Sequence, residues 1–415
     1  MDRRDRPEEK KNIVAFPGKR ERRKILRQQE DRRVRVVYVL RRLTGAALLL
    51  TLILFFAAHP QLLRPESIRR TLSYLTLSVT GEGDGEMDRI DFAAGGYQAA
   101  VPFAGGLAVA DGGLLTIQRP GGVTDLSVSL SLSNPVLLTS DQYLFAYDPG
   151  GTRVLVADSF GLADEINLGA PVTHLAVNGE GMMAAVSGES GYRGAVTVFN
   201  RQREQAYKWY TSEYYIMCAA LSPDGRQMAA GVFTQTGVEL TGRLLVFRLD
   251  EEEPVADVPL GDTVPMQLAF QDNDTLIAVG DAGAAVVDVP DGSVTHTVSY
   301  ATGELEGCSL TADGCLLAVH SYGGEAAQRL VLLTGEGESR LDLTRGADSV
   351  ALSPEYLAVL TGSRVTVYDR SFAQVYRQEL ESGVRQLLQR EDGVVYALYQ
   401  DSAQVITPWA ENTEE

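Results

Sequence analysis

Short apolar runs alternate with turn residues along most of the chain, from about residue 87 to the end. One unit recurs: a strand, a polar turn, an apolar strand, a second turn and a strand of the Val-x-Val type. Helical periodicity is absent here, because apolar residues do not recur at every third and fourth position. The pattern predicts an all-β domain whose sheets pack face to face.

The apolar second strand marks each repeat. It occurs eight times, at intervals of 37 to 48 residues: LAVA (107–110), LFAY (144–147), MAAV (183–186), MAAG (228–231), LIAV (276–279), LAVH (317–320), LAVL (357–360) and VYAL (395–398). A period near 40 residues with several strands per repeat is typical of β-propeller blades. We therefore predict a propeller of about eight four-stranded blades, with seven blades and one irregular insertion as the alternative.

Turns and termini predict how this ring is built and closed. Asp-Gly in LSPDGR (221–226) and LTADGC (310–315) supplies the positive φ that a tight turn between the first two strands needs, and VPDGSV (289–294) turns between the third and fourth strands. The first blade begins with YQAAVPF (97–103), whereas the last repeat stops after QVITPW without a fourth strand. A propeller commonly takes the missing strand from its other terminus, which leaves no open sheet edge. We predict that MDRIDF (87–92) is this closing strand.

One uncharged stretch, LTGAALLLTLILFFAA (43–58), has no counterpart in the rest of the chain. As a helix it measures about 24 Å, short of the ~30 Å hydrocarbon core of a bilayer. The apolar run extends back to Val36, and the side chains of Arg41 and Arg42 can snorkel to the headgroups. We predict a transmembrane helix at 36–58; a buried core helix is the alternative.

The charges on either side of this stretch predict its orientation. Residues 1–42 hold 16 Lys and Arg against 7 Asp and Glu, which leaves a net charge of −27 for the remainder. Positive charge marks the cytoplasmic side, so we expect a single-pass cell-membrane protein with its N-terminus inside and its propeller outside. A cleaved signal peptide is the alternative. The basic lead is too long for one, and cleavage after Ala58 would place bulky Phe56 where a small residue is required. We therefore predict an uncleaved signal anchor.

The remaining segments complete the predicted domain organisation. Residues 1–35 form a basic disordered tail, because they contain too few large apolar side chains to fold. Residues 59–86 contain a short amphipathic helix in PESIRRTLSYL and an acidic linker, GEGDGE, which lacks the spacing of an EF-hand loop. The propeller ectodomain spans 87–410, and an acidic tail follows at 411–415.

Residues that could carry catalysis or bind a metal are scattered. The chain has four histidines, His59, His174, His296 and His320. It lacks the H-E-x-x-H, C-x-x-C, G-x-S-x-G and P-loop patterns of metal, redox, hydrolase and nucleotide sites. Isolated strand histidines are more often packed or surface residues than ligands. The acidic charge opposes binding to nucleic acid. We therefore predict no catalytic residue, no cofactor and no metal.

The three cysteines are Cys218, Cys308 and Cys315. Cys308 and Cys315 flank the turn in LTADG, so we expect them to be diagonal neighbours on one face of a sheet. A disulfide between them is geometrically conceivable, although diagonal spacing approaches the limit of Cα separation. Free thiols that pack as small apolar groups are the expected state.

Aromatic side chains are concentrated in YKWYTSEYY (207–215). Five of them make up the candidate patch for a ligand or partner: Tyr207, Trp209, Tyr210, Tyr214 and Tyr215. Rings with polar tips are enriched where proteins recognise peptides and sugars. The alternative is an outer strand on which packed and exposed rings alternate.

Several of these stretches together resemble an uncharacterised family of membrane-anchored bacterial propeller proteins, a domain of unknown function. The resemblance rests on the basic tail, the single span, PESIRRTLSYL and GGLAVADGGLLTIQRPGG (105–122), and it implies architecture alone. The blades also resemble WD-repeat and quinoprotein repeats. AVTVFNRQREQAYKWY (195–210) is similar to a quinoprotein blade that ends in tryptophan, but this tryptophan does not recur in the other blades.

The sequence favours an interaction module at the cell envelope. We expect an extracytoplasmic scaffold or sensor that binds a protein, peptide or glycan, because rigid propellers without chemical motifs usually present loops to partners. The alternative is an enzyme at the propeller funnel, either a quinone- or metal-dependent dehydrogenase or a hydrolase. Passive envelope structure is a third hypothesis.

Overall fold

The computed structural model describes residues 89–92, 96–120, 123–300, 303–321 and 328–408. The predicted transmembrane helix at 36–58, the amphipathic helix and linker at 59–86 and both charged tails lie outside these residues. Within the described ranges, no helix has the length and hydropathy needed to cross a bilayer.

The described chain folds into eight four-stranded antiparallel sheets, which are the blades of a propeller. Strand β1 (Arg89–Asp91) precedes seven blades that are each built from four consecutive strands. Blades 1 to 4 contain β2 (Tyr97–Phe103), β3 (Gly106–Asp111), β4 (Leu114–Arg119), β5 (Val123–Ser129), β6 (Val136–Thr139), β7 (Leu144–Tyr147), β8 (Arg153–Asp158), β9 (Gly161–Asn167), β10 (Val172–Val177), β11 (Met183–Ser187), β12 (Gly194–Phe199), β13 (Gln205–Thr211), β14 (Tyr215–Leu221), β15 (Gln227–Thr236), β16 (Glu239–Arg248) and β17 (Pro254–Gly261).

Blades 5 to 7 continue the same order. They contain β18 (Pro265–Phe270), β19 (Thr275–Gly280), β20 (Gly283–Asp288), β21 (Ser293–Ser299), β22 (Gly303–Thr311), β23 (Gly314–Ser321), β24 (Gln328–Thr334), β25 (Gly337–Leu343), β26 (Ser349–Leu352), β27 (Tyr356–Thr361), β28 (Arg364–Asp369) and β29 (Gln374–Glu379). Blade 8 contains β30 (Gln386–Gln389), β31 (Val395–Leu398) and β32 (Ser402–Ile406), with β1 as its fourth strand. The prediction of eight blades is confirmed, and the seven-blade alternative is wrong.

The ring is closed by the strand that the sequence predicted. Strand β1 pairs antiparallel with β32, and Ile90 lies opposite Ala403. The Ile90 side chain is fully buried in an apolar cluster with residues of blades 1 and 8. Each first strand contacts the first strands of both neighbouring blades, including β2 with β30, so the first strands encircle the axis.

The hydrophobic core lies between neighbouring blades. The second and third strands carry most of it, because both faces of these strands are covered by adjacent sheets. Between blades 3 and 4, for example, Val186 and Val196 pack with Met228 and Phe247. The eight apolar runs used as sequence markers are all second strands. Full burial of a Val, Leu, Ile, Phe or Met side chain in this core contributes roughly 1.5–3 kcal/mol to the stability of the fold.

The predicted tight turns adopt the required conformation. Gly225 in LSPDGR has φ of 64° and Gly314 in LTADGC has φ of 142°, so both adopt the positive φ that glycine permits, as does Gly292 in VPDGSV with φ of 60°. Ser222 completes the first turn, since its Oγ accepts the backbone N–H of Gln227 at 2.9 Å.

Strand direction divides the connections between two faces of the ring. Successive strands of an antiparallel blade run in opposite directions. The connection from the second strand to the third therefore lies at the same end of the blade as the connection from the fourth strand to the next blade. We call the face that carries these two kinds of connection the upper face. Everything described as the candidate site below lies on it.

Neighbouring first strands are linked by side chains that accept backbone hydrogen bonds. His174 of blade 3 accepts the N–H of Ala219 at Nδ1, at 3.4 Å. Ser309 and Ser349 accept the N–H groups of Leu352 and Leu387 in the following blades, at 3.1 and 2.9 Å. His174 must be neutral at Nδ1 to make this contact.

Acid is expected to weaken the fold through His174. Burial lowers the pKa of His174 to about 4, below the value of about 6.5 in an unfolded chain. As the pH falls, the unfolded state therefore binds a proton at a higher pH than the folded state does. The contribution of neutral His174 to the free energy of unfolding is fully present above pH 6.5 and is lost as the pH falls toward 4. We expect a loss of about 1–2 kcal/mol between pH 7 and 5 that His174→Gln removes. Urea denaturation of both proteins at the two pH values measures it; identical pH dependence would contradict it.

Candidate functional site

The five aromatic residues predicted as a patch fall into two groups. Tyr207, Trp209 and Tyr214 pack against the core between blades 3 and 4. The ring centroid of Trp209 lies 4.8 Å from that of Phe247, and that of Tyr207 lies 6.3 Å from it. These three rings therefore hold blades together, and the other two, Tyr210 and Tyr215, face solvent.

Tyr210 and Tyr215 belong to a wider group that we call the tyrosine surface. Its members come from three connections of the upper face: Tyr192, Arg193, Tyr210, Tyr215 and Phe233. The rings of Tyr192 and Tyr210 are 4.4 Å apart, and those of Tyr215 and Phe233 stack at 5.1 Å. The guanidinium carbon of Arg193 lies 4.5 Å from the centre of the Tyr215 ring. Tyr192 and Arg193 are consecutive, so one connection contributes a side chain to each of the two ring pairs.

A tight turn brings Tyr210 and Tyr215 together. Strand β13 ends at Thr211, whose Oγ1 accepts the backbone N–H groups of Glu213 and Tyr214 at 3.1 and 3.3 Å. The Thr211 carbonyl accepts the N–H of Arg193 at 2.8 Å, which fixes the neighbouring connection beside the turn. The positions of these rings are thus set by backbone hydrogen bonds as well as by stacking.

A long hairpin rises next to the tyrosine surface. Strands β15 and β16 pair from Gln227 and Arg248 out to Thr236 and Glu239. Their neighbours stop earlier, since the pairing of β14 begins at Phe233 and that of β17 begins at Gly242. Residues 234–241 therefore project beyond the blade. Val238 at the tip is 96% exposed and Leu240 is 39% exposed, so the projection carries apolar side chains into solvent.

An acidic cleft of about 580 Å³ lies on blade 5, bordered by the adjoining chain segments of blades 4 and 6. Asp262, Asp281 and Glu304 line it, and no Lys, Arg or His is found among the described residues of its wall. One Asp281 oxygen accepts the backbone N–H of Val264 at 2.7 Å, which fixes the carboxylate in place. The cleft therefore favours a cationic group.

The tyrosine surface and the acidic cleft adjoin each other at the base of the hairpin. Phe233, which stacks on Tyr215, lies directly opposite Gly242 in the hairpin ladder. A side-chain carbon on Gly242 would lie only 1.7 Å from the carbonyl oxygen of Thr263, so glycine permits this close approach. Thr263 in turn lines the cleft. Apolar and acidic surfaces thus form one continuous region.

The histidines do not form a common site. His174, His296 and His320 lie in blades 3, 5 and 6, and His320 pairs with Glu306, with Nδ1 and Oε1 3.3 Å apart. His59 lies outside the described residues. In the part of the chain that the structure describes, no three His, Cys, Asp or Glu side chains converge as a metal site.

The sequence did not indicate Tyr192, Arg193, Phe233, the hairpin or the cleft. One feature of the repeat could have located the connections that carry these residues. The intervals between second strands are longest from MAAV to MAAG and from MAAG to LIAV, at 45 and 48 residues. These intervals contain the connections that carry the tyrosine surface and the long hairpin.

Comparison with known proteins places the chain by family and by fold. A family model described as "Family of unknown function (DUF5711)" matches residues 98–407, which run from β2 to the end of β32. Among curated proteins, none matches the chain.

Solved propellers share the fold at low sequence identity. The C-terminal WD40 domain of Sif2 is 14% identical with a TM-score of 0.55, over 78% of this chain and 98% of that one. The Dos1 propeller is 13% identical with a TM-score of 0.55, over 77% and 93%. The computationally designed Ika8 protein is 13% identical with a TM-score of 0.55, over 76% and 98%.

Proposed function

We propose that this chain, which belongs to the DUF5711 family of unknown function, is a protein-binding module. The upper face of blades 3 to 6 docks the partner: the tyrosine surface and the hairpin bind its apolar side chains, and the acidic cleft receives a basic one. The helix at 36–58 anchors the module in the cell membrane and holds the propeller on the outer side.

The concentration of exposed apolar side chains supports this proposal. Ten large apolar side chains are exposed among the described residues, and five of them lie in this one region: Tyr192, Tyr210, Tyr215, Val238 and Leu240. Scattered apolar surface residues are normal, but a cluster marks an interaction site. Tyrosine and arginine are also the residues that dominate binding energy in protein interfaces. This cluster is the observation that carries the proposal.

The hairpin favours a protein over a glycan. Flat rings suit sugars and peptides equally, but Val238 and Leu240 present aliphatic groups, which pack best against other apolar side chains. The neighbouring carboxylates add charge complementarity, since a basic residue on the partner would be attracted to the cleft and oriented by it. The partner is therefore a protein with an apolar segment next to a basic residue.

Charge asymmetry supports the membrane anchor. The N-terminal 42 residues carry +9 and the rest of the chain carries −27, with the uncharged stretch between them. A negative propeller is repelled by anionic lipid, so it does not adhere electrostatically to the membrane surface.

Site-specific photo-crosslinking in intact cells tests the proposal. A photoreactive amino acid replaces Tyr210 in the full-length chain, and the control chain carries it in place of Val375, which is equally exposed in blade 7. We expect a discrete protein adduct from position 210 alone. Replacing Tyr192 and Tyr215 with alanine should reduce its yield at least tenfold, since each anchor of this kind is worth about 2 kcal/mol or more.

Four outcomes would overturn parts of the proposal. Equal adducts from both positions, or an adduct that survives the alanine substitutions, would show that the tyrosine surface does not bind a partner. An adduct that glycosidase removes would identify a glycan instead of a protein. In the same cells, an impermeant protease added outside should digest the propeller; protection would contradict the proposed topology.

A further inference from the structure

Two thiols lie side by side in blade 6. Cys308 is on the first strand and Cys315 on the second, and in the ladder they lie opposite Leu317 and Leu310. They are therefore diagonal neighbours on one face of the sheet, as the sequence predicted. Both are free, and their Sγ atoms are 3.7 Å apart. The sulfurs need to approach from this distance to about 2.05 Å to form a bond.

We propose that Cys308 and Cys315 form a reversible disulfide, in which Cys308 reacts first with a disulfide oxidant and Cys315 resolves the product. This modification site is independent of the tyrosine surface. It lies between blades 5 and 6, where the sulfur of Cys308 is 4.0 Å from Oε1 of Gln267 in the first strand of blade 5.

The two sulfurs have different surroundings, which assigns their roles. Cys315 is fully buried, whereas Cys308 is partly exposed. The hydrogen bond from the Cys315 thiol lowers the pKa of Cys308. The same hydrogen bond and, to a smaller extent, burial of the thiol raise the pKa of Cys315. An accessible thiol with a lowered pKa next to a second, protonated thiol is the arrangement of an attacking and a resolving cysteine.

The reaction is a thiol–disulfide exchange in two steps. The thiolate of Cys308 attacks one sulfur of a low-molecular-weight disulfide, forms a mixed disulfide and expels one thiolate. Cys315 then attacks Sγ of Cys308, which forms the internal bond and expels the second thiol, and the departing sulfur takes the proton of Cys315. Two protein thiols are oxidised and one disulfide is reduced to two thiols, so two electrons are transferred; a dithiol reverses both steps.

Cys218 provides an internal control in the same chain. It is fully buried between blades 4 and 5, where its sulfur lies 3.7 Å from the carbonyl oxygen of Pro265. Burial raises the pKa of Cys218 to about 12. A buried thiol with this pKa holds little thiolate, so it should neither react with the oxidant nor exchange with the pair.

Mass spectrometry of the full-length chain in detergent tests the proposal. The reduced protein is incubated with oxidised glutathione, quenched with acid, denatured and alkylated. We expect the peptide that contains both Cys308 and Cys315 to lose two hydrogens and take up no alkylating reagent, and dithiothreitol to restore both sites. Cys218 should be alkylated after denaturation in every sample.

Single variants separate the two roles. Cys315→Ser should stop at a glutathione adduct on Cys308, Cys308→Ser should form no adduct, and Cys218→Ser should oxidise like the parent. The proposal is overturned if the parent protein keeps both sites alkylatable after oxidation, or if it accumulates glutathione on Cys308 as the Cys315→Ser variant does. The measurement on the parent protein requires no substitution, so a folding defect in a variant cannot decide the result.

Discussion

Replacing Ile90 with alanine should lower the free energy of unfolding of the propeller by about 3 kcal/mol, within the usual range for truncation of a buried aliphatic side chain. Ile90 is fully buried in the cluster that joins β1 to blades 1 and 8. Strand β1 is only three residues long and Ile90 is its one apolar side chain, which packs in the cluster together with the adjacent Phe92. Weakening this strand also opens the edge of β32. Urea denaturation of the full-length chain, followed by fluorescence, measures the effect.

A neighbouring substitution provides the control for this prediction. Arg89 is in the same strand, but its side chain is exposed and pairs with the exposed Asp91. Arg89→Ala should leave the denaturation midpoint unchanged, because exposed ion pairs contribute little to stability. If Ile90→Ala also unfolds at the midpoint of the parent protein, β1 does not contribute to ring closure.

The number of blades and the closing strand could be predicted because both depend on local patterns. Each second strand is covered on both faces, so it appears in the sequence as a continuous apolar run such as LFAY or VYAL. The closing strand followed from counting, since the last repeat lacked one strand and MDRIDF was available. Asp-Gly at 224–225 and 291–292 fixed the turns by backbone preference alone.

The candidate site could be predicted only in part, because packing partners distant in sequence decide which rings are exposed. In β13, Trp209 and Tyr210 are adjacent and chemically alike. Phe247, 38 residues further on, covers Trp209, while the exposed Tyr210 ring lies against the tilted ring of Tyr192. The acidic cleft depends on three separate connections that meet in space. Alternation along one strand cannot show which of its two faces the next blade will cover.

Replacing Gly242 with alanine should destabilise the propeller by about 3 kcal/mol or more, which is the upper range for overpacking. The new methyl group would lie 1.7 Å from the carbonyl oxygen and 2.8 Å from the carbonyl carbon of Thr263. These are backbone atoms, so a side-chain rotation cannot relieve the clash. The connection from blade 4 to blade 5 must move, and it carries one wall of the acidic cleft. We therefore expect lower stability and a weaker photo-crosslink from position 210.

Gly188→Ala is the matched control, and the comparison tests whether the site is continuous. No atom lies within 4 Å of a side-chain carbon built on Gly188, and its φ is outside the left-handed region. Alanine there should leave stability unchanged or raise it slightly, by about 0.4–1 kcal/mol, because the unfolded chain loses freedom. A Gly242→Ala protein as stable as Gly188→Ala would show that the hairpin base does not contact Thr263. The tyrosine surface and the acidic cleft would then be separate sites, and a single partner would have no reason to engage both.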